Sequence, residues 1–136
     1  MPESTYAELS ASLLLCIDDN EDVLECEKLF LESFGYTVLT APNGSKGLEL
    51  AAVYPVDVVI VDYLMPEMNG KAFVVKMRRL RPETPIIMLS GEVNVPLRVL
   101  KWVDAVVAKD QLGSHLLPAI AQLQGCGPAP PLMFDS

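Results

Sequence analysis

Short runs of apolar residues alternate along the chain with longer stretches in which apolar positions recur every three or four residues. The runs are SLLLCI (Ser12 to Ile17), YTVLTA (Tyr36 to Ala41), VDVVIV (Val56 to Val61), PIIMLS (Pro85 to Ser90) and DAVVAK (Asp104 to Lys109). Runs this short, rich in β-branched residues and bounded by turn chemistry, predict strands buried on both faces. From Asp22 the spacing turns helical, through Val23, Leu24, Cys26, Leu29, Phe30 and Phe34, and Gly35 is placed to end the helix. NGSKGLELAAVY predicts a second helix stopped by Pro55. GKAFVVKMRRL (Gly70 to Leu80) predicts a third, with Phe73, Val74 and Met77 on one side. VPLRVLKW predicts at most a short fourth helix. GSHLLPAIAQLQG predicts the last, with Pro118 early enough that its missing N–H costs least.

Strand and helix therefore alternate five times. The expected class is α/β, a three-layer, doubly wound, five-stranded parallel sheet with right-handed crossovers and a shortened fourth helix. No internal repeat interrupts it. With 136 residues there is material for one domain. The expected organisation is a polar tail over 1–11, the domain over 12–124, and a Pro/Gly-rich tail or linker stub over 125–136 that carries Pro128, Pro130 and Pro131.

Charge narrows the partners. Eighteen acidic residues against ten basic ones give a formal net charge of -8. This argues against non-specific binding to nucleic acid or to anionic membranes, and favours proteins or cations. The three cysteines form no C-x-x-C pair, which speaks against a zinc site or a disulfide framework. Cys16 is expected as a small core residue and Cys126 as an exposed thiol in the tail. No signal peptide or membrane-length apolar segment is evident, so the expected location is the cytoplasm.

The chemistry collects where strands end. Asp18 and Asp19 follow the first strand, Asp62 the third, Ser90 the fourth and Lys109 the fifth; the second is followed only by APNG. A single Asp leading into a turn is ordinary. In an open α/β sheet, however, sites form beyond the carboxyl ends of the strands, where the winding reverses. With strand order 2-1-3-4-5, the first and third strands are neighbours. Three acids, a hydroxyl and an ammonium then share one edge. Two carboxylates about 4 Å apart repel by roughly 4 kcal/mol at an effective dielectric near 20. They call for protonation or a cation, and an all-oxygen set suits Mg²⁺. Beside such a cation a carboxylate can act as nucleophile toward a phosphoryl group.

With these elements in place, the sequence resembles the receiver domain of two-component response regulators, in the stand-alone form known from chemotaxis regulators. IDDN (Ile17 to Asn20), VDYLMPEMNG (Val61 to Gly70), IIMLSG (Ile86 to Gly91) and Lys109 after AVVA carry the resemblance, which covers roughly Ser12 to Gln124. It implies a flavodoxin-like fold and a set of roles. Asp62 would accept a phosphoryl group from a sensor histidine kinase or a histidine phosphotransfer protein. Mg²⁺ would be held by Asp19 directly, Asp18 chiefly through water, Asp62, and the backbone carbonyl of Leu64. Ser90 and Lys109 would bind the phosphoryl group, Ser90 reporting its arrival. Leu64 and Glu92 occupy positions that tune hydrolysis, and Leu64 cannot hydrogen-bond an attacking water, so a long-lived phosphoryl group is expected. The output would go to a downstream protein, from a monomer or weak dimer, with no catalytic or DNA-binding activity attached.

The sequence departs from that pattern at two switch positions. Val106 stands where an aromatic is usual, three residues before the Lys, and Asp110 where a proline is usual. The Ser90–Lys109 stretch is short and holds Pro96. These changes fall on the face most regulators use for output, so they bear on output rather than on phosphoacceptance. Two other readings compete. One is a protein-interaction module of this fold that works without phosphorylation. The other is a Mg²⁺ phosphatase, which would normally carry a second Asp two residues after the nucleophile, where Leu64 stands.

The remaining candidates read as structural. Asp57 and Asp104 precede strands as turn residues. Lys76, Arg78, Arg79 and Arg81 form a solvated, dipole-complementing helix end, with docking to an acidic partner as the alternative. His115, the only histidine, is expected at the surface. Trp102 with Val95, Leu97 and Val99 either pads the fourth helix onto the core or leaves an apolar patch.

Overall fold

Successive buried residues of β1 (Leu13–Ile17) divide the core in two: Leu15 and Ile17 face one side of the sheet, Leu14 and Cys16 the other. The computed structural model describes residues 12–63, 70–91 and 95–124. In it, β1 is followed by α1 (Glu21–Glu32), β2 (Thr37–Ala41), α2 (Gly44–Val53), β3 (Val58–Asp62), α3 (Gly70–Leu80), β4 (Ile86–Ser90), α4 (Leu97–Leu100), β5 (Ala105–Ala108) and α5 (Leu117–Leu123). The sheet is parallel throughout, in the order β2-β1-β3-β4-β5. This is the doubly wound parallel sheet expected from the apolar runs, in the strand order of the flavodoxin-like fold that the resemblance implies.

Both faces are covered. On one, Leu15, Val59, Val61, Ile86 and Met88 pack with Ala51 of α2, Phe73, Val74 and Met77 of α3, and Val99 of α4. On the other, Leu14, Val58, Ile60, Ile87, Leu89 and Val107 pack with Leu24 and Leu31 of α1 and with Leu116 and Ile120. Each fully buried side chain of this size stabilises the fold by about 1.5–3 kcal/mol, which is why β3 and β4 tolerate no polar residue before their last position. Asn20 caps α1, its Oδ1 accepting from the Asp22 and Val23 amides, and Asn43 caps α2 by accepting from Lys46. Gly35, at φ 96°, takes the left-handed conformation that turns the chain from α1 into β2.

One expectation needs correction, and another gains detail. The basic end of α3 is not simply solvated. Arg78 donates to the Trp102 carbonyl and to Asp104 Oδ2, each at 2.8 Å, and to the Thr84 carbonyl at 3.1 Å. Arg81 Nε donates to the Ala51 carbonyl at 3.0 Å. A guanidinium has five donors in a fixed fork, so it can tie together loops that an exposed charge would leave free. The last helix runs where GSHLLPAIAQLQG placed it, but its first turn is wound wide: after a tight turn over Lys109–Gln111, a wide helical turn over Leu112–Leu116 leads directly into α5. Pro118 has no N–H for the Ser114 carbonyl, and its ring crowds that carbonyl, so a regular α-turn cannot form there.

The turn aspartates are structural. Asp57 Oδ2 accepts the Leu13 amide and Asp104 Oδ2 the Ile86 amide, each at 2.8 Å, closing the starts of two strands. The fourth helix is a single turn. Both readings of its apolar residues hold in part: Val99 is buried, Val95 and Trp102 pack against the core, and Leu97 is 81% exposed. Cys16 is buried and His115 lies at the surface. The segments 1–11 and 125–136, with Cys126, lie outside the described residues.

Candidate functional site

Strand register brings the acids together. Ile17 pairs with Val61, so the next residue of each strand, Asp18 and Asp62, stand side by side at the carboxyl edge. Asp62 pairs with Leu89, which sets Ser90 beside it, and Ser90 pairs with Ala108, which sets Lys109 just beyond. One carboxylate oxygen from each of Asp18, Asp19 and Asp62 lies within 4.8 Å of the others. Asp18, Asp62 and Ser90 are buried, while Asp19 is exposed. Lys109 reaches in from the rim and its Nζ donates to Asp62 Oδ2 at 2.9 Å.

The electrostatics follow from that crowding. Asp18 Oδ1 accepts the Asn20 amide at 2.9 Å, but its buried Oδ2 has no hydrogen-bond partner among the described residues. Burial, with the nearby charges of Asp62 and Asp19, pushes the Asp18 carboxyl up to about 6, although the Asn20 amide and Lys109 pull the other way. Burial alone would lower the Lys109 ammonium, but its bond to Asp62 and the charges of Asp62, Asp18 and Glu27 raise it overall. A buried carboxylate oxygen without a donor is costly. An orphaned oxygen among three converging carboxylates is the donor set of a hard divalent cation, and the residues present fit Mg²⁺.

Beneath the acids lies a residue the sequence reading passed over. Glu27 of α1 is buried against Cys16, and burial together with the charges of Asp18 and Asp62 raises its carboxyl to about 7. The signal was present: Leu24, Glu27 and Leu31 are spaced three and four apart, so Glu27 sits on the core-facing stripe of α1.

The other singled-out positions are dispersed. Val106 is paired with Met88 in β5 and is 37% exposed. Asp110 is exposed in the turn after β5, and no cis peptide bond occurs among the described residues. Leu64, with its carbonyl, and Glu92 lie outside the described residues. No helix among the described residues is long and apolar enough to cross a membrane.

Residues 14–111 match the sequence profile of the response regulator receiver domain. Over 98 residues the chain is 36% identical to the transcriptional regulatory protein GlrR of Escherichia coli K12, covering 72% of this chain and 20% of that protein. The chain thus spans about a fifth of the length of that relative. Among solved structures, a response regulator receiver domain protein from Clostridium thermocellum shares 27% identity at a TM-score of 0.77, covering 84% of this chain and 94% of the other. The response regulator TrrA of Thermotoga maritima, in complex with Mg(2+)-BeF, shares 26% identity at 0.77, covering 82% of this chain and 98% of the other.

Proposed function

The chain belongs to the response regulator receiver domains, and from that premise we propose that Asp62 is the phosphoacceptor of a phosphorylation-dependent switch. The observation that carries the reading is the 2.9 Å contact between Lys109 Nζ and Asp62 Oδ2 inside a cluster of three carboxylates. In the transfer, a carboxylate oxygen of Asp62 bonds to phosphorus as the bond from phosphorus to the donor imidazole nitrogen breaks, and the imidazole leaves with its electron pair. Lys109, already at the carboxylate, exchanges its contact with Asp62 for one with a phosphoryl oxygen. Ser90, one strand over, offers its hydroxyl to another.

Asp18, Asp19 and Asp62, with the Leu64 carbonyl, would hold Mg²⁺. When bound, the ion offsets the charge on the carboxylates and on the transferring group. That TrrA was solved with Mg(2+)-BeF supports this choice of metal. The donor would be a histidine kinase or a histidine phosphotransfer protein, and the signal would pass to a downstream protein by a conformational change. The phosphoryl group would be long-lived, because Leu64 gives an attacking water no hydrogen bond; hydrolysis within seconds in Mg²⁺ would contradict this.

Acetyl phosphate or phosphoramidate with Mg²⁺ tests the main reading directly. The wild type gains one phosphoryl group by intact mass, and Asp62→Asn gains none. A wild type that takes no label would instead favour an interaction module independent of phosphorylation.

A further inference from the structure

On the far side of Glu27 from the acid cluster, α1 and the wide turn before α5 border a groove of about 350 Å³ whose exposed lining is apolar, with Asp22 and Glu27 also on its wall. Val23, Cys26 and Phe30 form one wall, at helical spacing on α1, and Leu112 and Leu116 form the other. The volume is at the small end of the ~300–1,000 Å³ typical of ligand-sized clefts. The apolar stripe continues past Phe30 to Phe34, whose ring meets that of Phe30 edge-on at 5.3 Å and is itself 58% exposed. An exposed aromatic running into an apolar groove marks a surface built to be covered.

The described chain ends beside the lower end of this stripe. Gln124 Nε2 donates to Ser12 Oγ, and the Thr37 amide donates to the Ser12 carbonyl, so Gln124 lies next to the segment that follows Phe34. Residues 125–136 continue from there with one charged residue, Asp135, and an apolar triplet, Leu132-Met133-Phe134, behind Pro128, Pro130 and Pro131. From Glu32, its last residue, back to Val23, α1 rises about 14 Å. Leu132 is eight residues beyond Gln124, a reach of about 25 Å even as polyproline II.

We propose that Leu132-Met133-Phe134 of the chain's own C-terminal segment occupy this groove, strapping α1 to the turn before α5. Two observations favour this occupant over a second copy of the chain. A tether of this length holds the triplet at about millimolar effective concentration, so a weak contact suffices. The rim of α1, by contrast, exposes Glu21, Asp22, Glu25 and Glu32, so two such faces repel each other.

Cys26 lines the groove and is exposed in the described structure, so its thiol reports whether the groove is covered. Buried Cys16 stays unreactive while the fold is intact and serves as an internal control. In the 136-residue Cys126→Ser protein, a small disulfide reagent should label Cys26 at least threefold more slowly than in the same protein carrying L132S, M133S and F134S. The protection should be unchanged on tenfold dilution. Equal rates overturn the strap. Protection that fades on dilution assigns the groove to a second copy and also overturns it. If Cys16 reacts in the triple variant, F134S alone takes its place, with the same outcomes deciding.

Discussion

Lys109 Nζ lies 2.9 Å from Asp62 Oδ2, across 47 residues of sequence. The pair is lopsided: the Lys109 side chain is 41% exposed, that of Asp62 5%. A buried carboxylate thus leans on an ammonium that still touches water, and a second buried carboxylate, Asp18, stands beside it. The contact is therefore best seen as a charge held in readiness rather than as a stabilising bridge. Exposed pairs contribute about 0–1 kcal/mol, and the solvent on Lys109 places this one toward that range.

Removing either partner should separate these effects. Lys109→Ala leaves two neighbouring buried carboxylates without their cation, and should lower stability by about 1–3 kcal/mol in Mg²⁺-free buffer. Asp62→Asn removes one of the two repelling charges, and should raise stability by about 1–2 kcal/mol while abolishing phosphorylation. Urea unfolding of the three proteins checks both signs. An Asp62→Asn protein less stable than the wild type would show that repulsion does not govern this edge.

Magnesium should relieve the same crowding. A ligand that binds only the folded state at 100 times its Kd adds about 2.7 kcal/mol. The melting temperature should rise with MgCl2 in the wild type. Asp18→Asn and Asp19→Asn should flatten that rise, though Asp18→Asn is itself expected to melt higher without metal. Parallel titration curves for all three proteins would count against these acids as ligands.

Arg78 makes a prediction remote from phosphoryl chemistry. It bonds the carbonyls of Pro82, Thr84 and Trp102 as well as Asp104 from the end of α3, and Asp104 in turn holds the Ile86 amide at the start of β4. Arg78→Ala should cost about 2–4 kcal/mol by stranding these partners. Arg78→Lys should recover less than half, because one ammonium cannot replace the planar fork. Chemical denaturation midpoints decide, and a loss under 0.5 kcal/mol, the ordinary range for a surface residue, would return Arg78 to the solvent-facing role that its sequence context suggested.

What could be read in the sequence, and what could not, divides along the range of the interactions. The strands β1, β3 and β4 were legible because full burial demands unbroken apolar runs, and the acid cluster because parallel order places strand ends together. The role of Arg78 is not legible, since its partners Trp102 and Asp104 lie 24 and 26 residues away and nothing in KMRRL reports them. The wide first turn of the last helix is not legible from the missing N–H of Pro118 alone, since it also reflects the space that the proline ring takes from the Ser114 carbonyl. Glu27 is legible from its place between Leu24 and Leu31 on the buried stripe of α1, a signal that apolar spacing alone does not carry.

Glu27 itself yields a pH dependence with a definite sign. Its carboxyl has an ordinary value of 4.5 and is raised to about 7 in the folded chain, first by burial and then by Asp18 and Asp62. The folded state therefore holds the proton more tightly than the unfolded state. Raising the pH from about 4.5 to 7 favours unfolding, and the loss levels off above 7. A displacement of that size corresponds to at most about 3 kcal/mol. Asp18, raised to about 6, adds loss of the same sign lower in the range. Glu27→Gln keeps the shape and removes the titration. Without Mg²⁺, the variant should match the wild type near pH 5 and exceed it near pH 8 by as much as about 3 kcal/mol. Urea unfolding at several pH values between these limits measures the gap. A difference that stays constant across the range would mean that Glu27 is already ionised in the folded chain at pH 5, with a partner other than Cys16 holding its charge.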